Sequence, residues 1–571
     1  MMKKYFRLMG LLLVVVMIMG CGLNNPEISR FFEISEAGDG GLVLEDYLPA
    51  DETALFFALR IDSAPDVKSL NAVLALPEVM QNYEQSFEQY GLNFEEDIKD
   101  MWEVGHGRLA YAAVKVGAVD SNVSAGDLQD DVYLSLNITN HEKYDDVIKK
   151  LSGQPGYKIT TYKETEILQN EDQEFYAARV GDLFIICNKI DNLRGMINEP
   201  KGLDSGSLRE KREYLGLIEK INEDYWAWLY MNTELISADE IVPEAKDVVN
   251  PSGLAEYLFL GDSEDVSYRG FYLAKRDNNS VYFRGMALGF DGLAVSDSDK
   301  TIYLDKKIPG ENMMMYFEKA GLAGLIEKGK NKKGFSTMVR YFSAFGFDYD
   351  RDIKPMLEKN VAVGVYNSGN LLPYVVLMVD VNGAKDQADK LIMLLEKNLS
   401  GYADSLNRAG AAVASGDEVV NDLVTKERVK TIGGTLEKFS ISVHKLLPLL
   451  TKDDLAYGDI VFIPEEVSLY YGIVDNHLII ALYPDFNEVY GAASVQISNS
   501  GGTKMMLDLE SLYKNVDLFA LFLSKTENPG IDERISGYAG EFRQMIPVKK
   551  IYLLGKDEFG SLNTEGVVEF W

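Results

Sequence analysis

Asp348, Asp350 and Asp352 occupy alternate positions, the spacing at which a calcium-binding loop presents its first three ligands. Such a loop also needs glycine at its sharp turn and a carboxylate at its twelfth position, and Ile353 and Lys359 stand there instead. The aspartates therefore read as the capped, dipole-favoured start of a helix. Gly105-His106-Gly107-Arg108-Leu109-Ala110 has the glycine spacing of a dinucleotide turn, which requires a strand before it and a helix after it. Here a β-type run follows. Gly329 to Gly334 has the glycine spacing of a phosphate loop, but Phe335 replaces the lysine that would hold the phosphates. What remains there is a basic run, Lys328, Lys330, Lys332 and Lys333, suited to a solvated loop or an anionic contact. Ser442-Val443-His444-Lys445 has the Ser-x-x-Lys spacing of serine acylases without their later motifs. The four histidines, His106, His141, His444 and His477, have no serine or carboxylate at motif spacing. With only two cysteines there is almost nothing from which to build a Cys/His zinc site. No catalytic residue, metal or cofactor is assigned, and the chain reads as non-enzymatic.

Composition narrows the partners. The chain has 571 residues, 46% of them hydrophobic and 26% charged, enough for at least two folded units. Its 89 acidic against 57 basic residues give a net charge of −32, which argues against nucleic acid as a partner.

The most informative candidate surface is Trp226, Trp228 and Tyr230 in the run Tyr225–Met231. Alternate residues of a strand share a face, so these three lie opposite Ala227, Leu229 and Met231, the expected core face. A later stretch, Thr503–Leu509, aligns with this one and carries Lys504, Met506 and Asp508 in place of the rings. Three aromatics on an exposed face need a cover, either a neighbouring helix or the second lobe, or else a glycan, lipid or protein ligand. Cys187 lies in an apolar run and reads as a buried packing residue.

Residues 1–20 place Lys3, Lys4 and Arg7 before an apolar run of about 12 residues, short of the roughly 20 needed to span a bilayer, and Gly20 precedes Cys21. Ile18-Met19-Gly20-Cys21 resembles a bacterial lipobox. That resemblance implies removal of residues 1–20 and acylation of Cys21, hence attachment to a membrane through acyl chains rather than a spanning helix. Gly22 lacks the neighbouring aspartate that commonly retains lipoproteins at an inner membrane. The expected location is thus the cell envelope, with the outer membrane and periplasmic side favoured over the outer face of the cytoplasmic membrane.

The body of the chain repeats. Gly91–Met101 and Gly346–Met356 share five of eleven residues at an offset of 255. Three further pairs follow in the same order: Tyr47–Phe57 with Lys307–Phe317, Tyr176–Cys187 with Tyr470–Ala481, and Val281–Phe290 with Ser561–Phe570. The drift of the offsets places an insertion of the second copy within Ser400–Ser440 and a smaller one of the first at Leu208–Asp224.

The elements that must position these residues follow from periodicity. Strands are expected at Ala54–Ile61, Leu109–Val116, Val132–Ile138 and Phe175–Cys187. Helices are expected at Val67–Tyr90, after an Asn93/Glu96 capping box, and at Lys143–Leu151. Strands succeed one another more often than they alternate with helices. The predicted fold is α+β: two tandem copies of a largely antiparallel sheet with helices packed on one face. The organisation is a signal peptide (1–20), a tether (21–44), a first lobe (45–292), a hinge (293–304) and a second lobe (305–571).

The Leu-Pro-Ala-Asp opening at Leu48–Asp51, the Gly91–Phe94 and Asp97-Ile98 helix start, and the duplicated Val180–Cys187 type of strand resemble uncharacterised bacterial envelope proteins grouped as a domain of unknown function. The second copy departs from that opening with Ile308-Pro309-Gly310-Glu311. The resemblance implies an exported α+β protein and assigns no chemistry. The expected function is a lipid-anchored envelope protein binding another envelope protein or polymer through its two lobes. A carrier for a lipid or apolar ligand is the alternative, and an envelope hydrolase the third reading.

Overall fold

The computed structural model describes residues 42–60, 104, 108–114, 131–199, 202–203, 206–219, 225–232, 235, 266–277, 279–289, 302–323, 326, 339–340, 342–344, 346–369, 372–413, 423–450, 464–490, 503–515, 548–558 and 561–570. Cys21, the tether up to residue 41, the two helices expected between residues 67 and 101, the glycine turn with His106, the hinge up to residue 301 and the Lys328–Lys333 run lie outside them. Two compact units divide at Val295/Ser296, and the segment Asp557–Trp571 belongs with the first.

The first unit is built on β1 (Thr53–Arg60), β2 (Arg108–Val114), β3 (Asp131–Asn137), β4 (Lys158–Tyr162), β5 (Thr165–Asn170), β6 (Phe175–Val180), β7 (Leu183–Cys187), β8 (Tyr225–Asn232), β9 (Val266–Asp277) and β10 (Ser280–Gly289). β1 lies between β2 and β8, and every pairing is antiparallel. On one side the order continues β2, β3, β7, β6, β5, β4. On the other it continues β8, β9, β10, and β10 then pairs with the strand Ser561–Phe570. The run expected as one strand over 175–187 is a hairpin, because Gly181 takes a left-handed φ of 62° and turns the chain. Its described helices are α1 (His141–Ser152), α2 (Ile190–Asn198) and α3 (Arg212–Ile218). Asn140 caps α1 by accepting the Lys143 N–H at 3.1 Å, and Lys149 and Lys150 in the last turn suit the dipole.

The second unit contains β11 (Met313–Ala320), β12 (Asn360–Tyr366), β13 (Tyr374–Asp380), β14 (Val424–Thr431), β15 (Gly434–Ser442), β16 (Glu466–Val474), β17 (His477–Leu482), β18 (Thr503–Asp508) and β19 (Val548–Glu558). Its described helices are α4 (Lys354–Leu357), α5 (Lys385–Val413), α6 (Val443–Leu450) and α7 (Phe486–Val489). β11 lies between β12 and β18. From there the order runs β12, β13, β17, β16, β15, β14 on one side and β18, β19 on the other. This is the partner order of β1–β9. The remaining strand, β20 (Ser561–Phe570), is the one paired with β10. The expected excess within Ser400–Ser440 is instead split: α5 has 29 residues against 12 in α1, and α6 follows β15 where only the short turn Glu171–Gln173 follows β5.

The expected fold of two tandem sheets with helices on one face is corrected on both counts. The twenty described strands form one antiparallel sheet, and helices pack on both of its faces. In the first unit Tyr144, Val147 and Leu151 of α1 join Leu59, Leu109 and Phe184, whereas Leu193 and Met196 of α2 with Tyr214 and Leu217 of α3 join Ala58, Ala110 and Ile185. Successive residues of a strand point to opposite faces, so these are two cores. In the second unit Met356 of α4 and Ala388 of α5 join Val361, Val379 and Leu478, and Phe486 of α7 joins Ala362, Met378 and Ile479. Covering both faces explains the continuous apolar runs such as Leu183–Cys187, which a one-sided sheet would not need.

Candidate binding groove

The aromatic run of β8 lies inside the protein. Trp228 and Tyr230 are 0% exposed and Trp226 is 5% exposed. Tyr214 of α3 meets Trp228 and Tyr230 edge-on, with ring centroids 6.3 and 5.3 Å apart. The Trp228 indole also lies across β9 at Gly270, where a Cβ would come within 2.5 Å of the ring. A bulge breaks the alternation: Tyr225 faces Ala274 and Ala227 faces Leu273, leaving Trp226 between them in the core that contains Phe184 rather than the one that contains Trp228. The candidate surface formed by Trp226, Trp228 and Tyr230 is thus corrected to core packing, with α3 as the cover for Trp228 and Tyr230.

Registers explain what replaces the rings in the second unit. Phe56 sits opposite Tyr230 and Ala58 opposite Trp228, while Tyr316 sits opposite Met506 and Glu318 opposite Lys504. Trp228 therefore corresponds in position to Lys504, two residues from the pairing that sequence comparison suggests. Lys504 is itself 0% exposed. Its Nζ lies 2.9 Å from Oδ2 of Asp305, which is 1% exposed and sits in the 3₁₀ turn Leu304–Lys306. Glu318 accepts the backbone N–H groups of Tyr303 and Leu304 at 2.9 and 2.8 Å and the Tyr316 hydroxyl at 2.7 Å. Burial holds the Glu318 carboxyl above its ordinary range against these bonds and the Lys504 charge. In the first unit Glu45, in the corresponding turn Leu44–Asp46, is paired with Arg108 of β2 and accepts the Tyr214 hydroxyl at 3.0 Å. These clusters fasten the turn preceding each first strand to the sheet. With Glu45, Asp305, Glu318 and Lys504 all buried, these contacts act as fold elements.

An open feature among the described residues of the first unit lies between α1 and the β4–β5 hairpin. It is a groove of about 290 Å³ lined by Tyr144, Ile148, Ile159 and Leu168, with Asp145, Lys149, Ser152 and Glu166 as its polar residues. Lys163 and Glu164, both with left-handed φ (46° and 68°), make the two-residue turn that sets the hairpin register, pairing Tyr162 with Thr165 and Ile159 with Leu168. Ile159 is 42% exposed, whereas Leu168 is buried against α1. Tyr144 is nine-tenths buried, edge-on to Phe184, and its hydroxyl makes no hydrogen bond among the described residues. Burial pushes that hydroxyl up to about 12, opposed by Arg179 and reinforced by Asp145 and Glu166. Both carboxylates thus act on the tyrosine in the groove.

The hairpin β14–β15 of the second unit gives the contrast. Counted from its turn pair, Thr431 with Gly434, the positions of Ile159 and Leu168 are held by Arg428 and Glu437, an ion pair at 2.6 Å. What is a salt-bridged surface in one unit is an apolar groove in the other. Sequence inspection missed this site because its residues are separately ordinary. Aligning the two hairpins from their turns would have exposed it.

The other sequence candidates are placed as follows. Asp348 caps the π-helical turn Tyr349–Ile353 by accepting the Arg351 N–H at 2.9 Å, and Asp352 is paired with Arg351 and Lys390. Among the described residues no group of three or more His, Cys, Asp or Glu could hold a metal ion. His477 is buried with Nε2 3.1 Å from the Tyr303 hydroxyl, His141 opens α1, and Ser442 ends β15 just before His444 and Lys445 in α6. Cys187 is buried, and its thiol donates to the Lys189 carbonyl at 3.0 Å. No described helix is long and apolar enough to cross a membrane.

A family described as a protein of unknown function (DUF3352) matches residues 75–257. No curated protein matches the chain. The solved structure of crystal form I of TP0453 is similar over 43% of this chain and 81% of its own, with 8% identity and a TM-score of 0.25.

Proposed function

We propose that the protein is a lipid-anchored, non-enzymatic component of a bacterial envelope that binds another envelope component through the groove between α1 and β4–β5. The groove carries the reading: it joins solvent-exposed aliphatic surface to a nearly buried tyrosine hydroxyl and two carboxylates, at a hairpin position that the second unit fills with an ion pair. The Gly20-Cys21 junction behind a short apolar run supports acylation of Cys21, and a net charge of −32 favours a body held off anionic headgroups. The absence of an aspartate after Cys21 favours the periplasmic side of an outer membrane. The shared partner order of β1–β9 and β11–β19 supports descent of both units from one duplicated unit.

A carrier of an apolar ligand is favoured by the same aliphatic lining, but a groove of about 290 Å³ suits a side chain or short acyl segment better than a whole lipid. A photo-crosslinking amino acid in place of Ser152, at the groove, should capture a discrete envelope molecule in native membranes, and one in place of Lys397 on α5 should not. Equal yields at the two positions would sink the reading. Cys21→Ala should abolish lipid labelling; persistent labelling would remove the anchor.

A further inference from the structure

β4 is an edge strand whose only described neighbour is β5. In a two-residue hairpin the pair flanking the turn, Tyr162 and Thr165, exchanges both hydrogen bonds, and bonded and non-bonded pairs then alternate. Thr160 and Lys158 therefore turn their backbone groups toward β5, leaving the N–H and C=O of Ile159 and Thr161 directed outward. Natural edges are commonly blunted by charge. The corresponding strand β14 follows that rule, with Lys426, Glu427 and Arg428 exposed in succession. β4 instead presents an exposed isoleucine and an exposed threonine between Lys158 and Lys163.

The side chains of Ile159, Thr161, Glu166 and Leu168 share the face that carries the groove, because Ile159 pairs with Leu168 and Thr161 with Glu166. A strand added to β4 would place the residue opposite Ile159 against the aliphatic lining. Its neighbour two positions along, opposite Thr161, would lie diagonal to Glu166. The charged side chains there are Asp145 and Glu166 against Lys149, with Ser152 also in the lining and Arg179 close enough to act on Tyr144, whose hydroxyl is an open hydrogen-bonding group beside them.

Taking the groove as the binding site proposed above, we infer that its occupant is an extended, basic segment of a partner protein. This segment adds a strand to β4, seats an aliphatic residue on Ile159 and Leu168, and directs a lysine or arginine toward Glu166, Asp145 and the Tyr144 hydroxyl. Main-chain bonds to Ile159 and Thr161 supply attachment, and the alternate side chains supply selectivity. A basic residue suits the site because its methylenes can cover the aliphatic lining while its head meets the carboxylates.

The test uses the full chain and fluorescein-labelled nonapeptides alternating threonine with valine and lysine, read by fluorescence anisotropy. The lysine peptide should bind, and raising salt should weaken it. Replacing its lysines by glutamate, or inserting proline at its centre, should each weaken binding at least tenfold. Ile159→Lys and Thr161→Pro should do the same from the protein side; both positions are exposed at an edge, where either change leaves the fold intact, as circular dichroism would verify. Equal binding of the glutamate and lysine peptides, or indifference to Thr161→Pro, would overturn the proposal. If sodium dodecanoate fills the groove while no peptide binds, the occupant is an acyl chain and the strand-addition proposal falls. Crosslinking at Ser152 without any peptide binding would sink this inference alone, whereas its absence would sink the groove reading as well.

Discussion

Replacing Lys504 by methionine is the sharpest test of how the second unit holds its first strand. The change keeps most of the side-chain volume and deletes one charge of a pair whose atoms are 2.9 Å apart and almost wholly shielded from solvent. At an effective dielectric of about 20, the attraction at that distance is about 6 kcal/mol. Desolvating the two ions costs several kcal/mol each, so the intact pair contributes little net stability, while stripping one partner should cost about 3–5 kcal/mol. The cost is compounded locally, since Oδ1 of Asp305 has no hydrogen-bond partner among the described residues and Glu318 lies across the strand pair from Lys504. Urea denaturation with hydrogen exchange resolved by peptide should show the loss in β11, β12 and β18. Adding Asp305→Leu should recover most of it. The defect should also ease as pH falls toward the ordinary glutamate range. Burial already holds Glu318 above its usual range, so the stability tied to its neutral form is present at low pH and lost as pH rises. A cost below about 1 kcal/mol for Lys504→Met, or a double variant as unstable as the two single changes added together, would refute this account.

Trp228→Ala should destabilise the first unit by about 3–5 kcal/mol, measured by urea denaturation, while leaving peptide binding at the groove unchanged in the folded protein. Cys187 should resist iodoacetamide until the protein is denatured, as read by intact mass, because burial pushes its thiol up to about 12. The Arg351 hydrogen bond, with help from Lys390, holds the Asp352 carboxyl below its ordinary range. Its contribution is therefore complete above the ordinary aspartate value of about 3.9 and lost as pH falls further, and Asp352→Asn should flatten that part of an acid-denaturation curve.

Local elements were largely legible in the sequence. Thr53–Arg60, Asp131–Asn137 and His141–Ser152 lie within two residues of the spans that periodicity predicts, because alternation and helical spacing record which side chains are buried. What periodicity does not report is the number of covered faces. Leu183–Cys187 is apolar throughout because α1 covers one side of the sheet and α2 the other. The reading of the β8 stripe failed for a related reason. Lys504 and Asp508 made the corresponding face look wet, yet both are buried, Lys504 against an aspartate 199 residues away. A polar letter marks a solvated face only when no partner lies within reach in space. The groove was illegible because it depends on the exposure of one isoleucine and on a register that the turn at Lys163–Glu164 decides.

The pairing of β10 with β20 has a consequence in time. Val281–Leu288 finds its second neighbour in Ser561–Val568, which ribosomes make only after the whole of the second unit. At about 5–20 residues per second, one edge of the nascent first unit stays open for roughly 15–50 s. Through that interval β10 can hydrogen-bond to any passing extended chain, so the nascent protein needs a holdase, or delayed folding, until β20 emerges. Ribosome-release variants ending before Ser561 should aggregate through that edge, although they contain every residue of β1–β10.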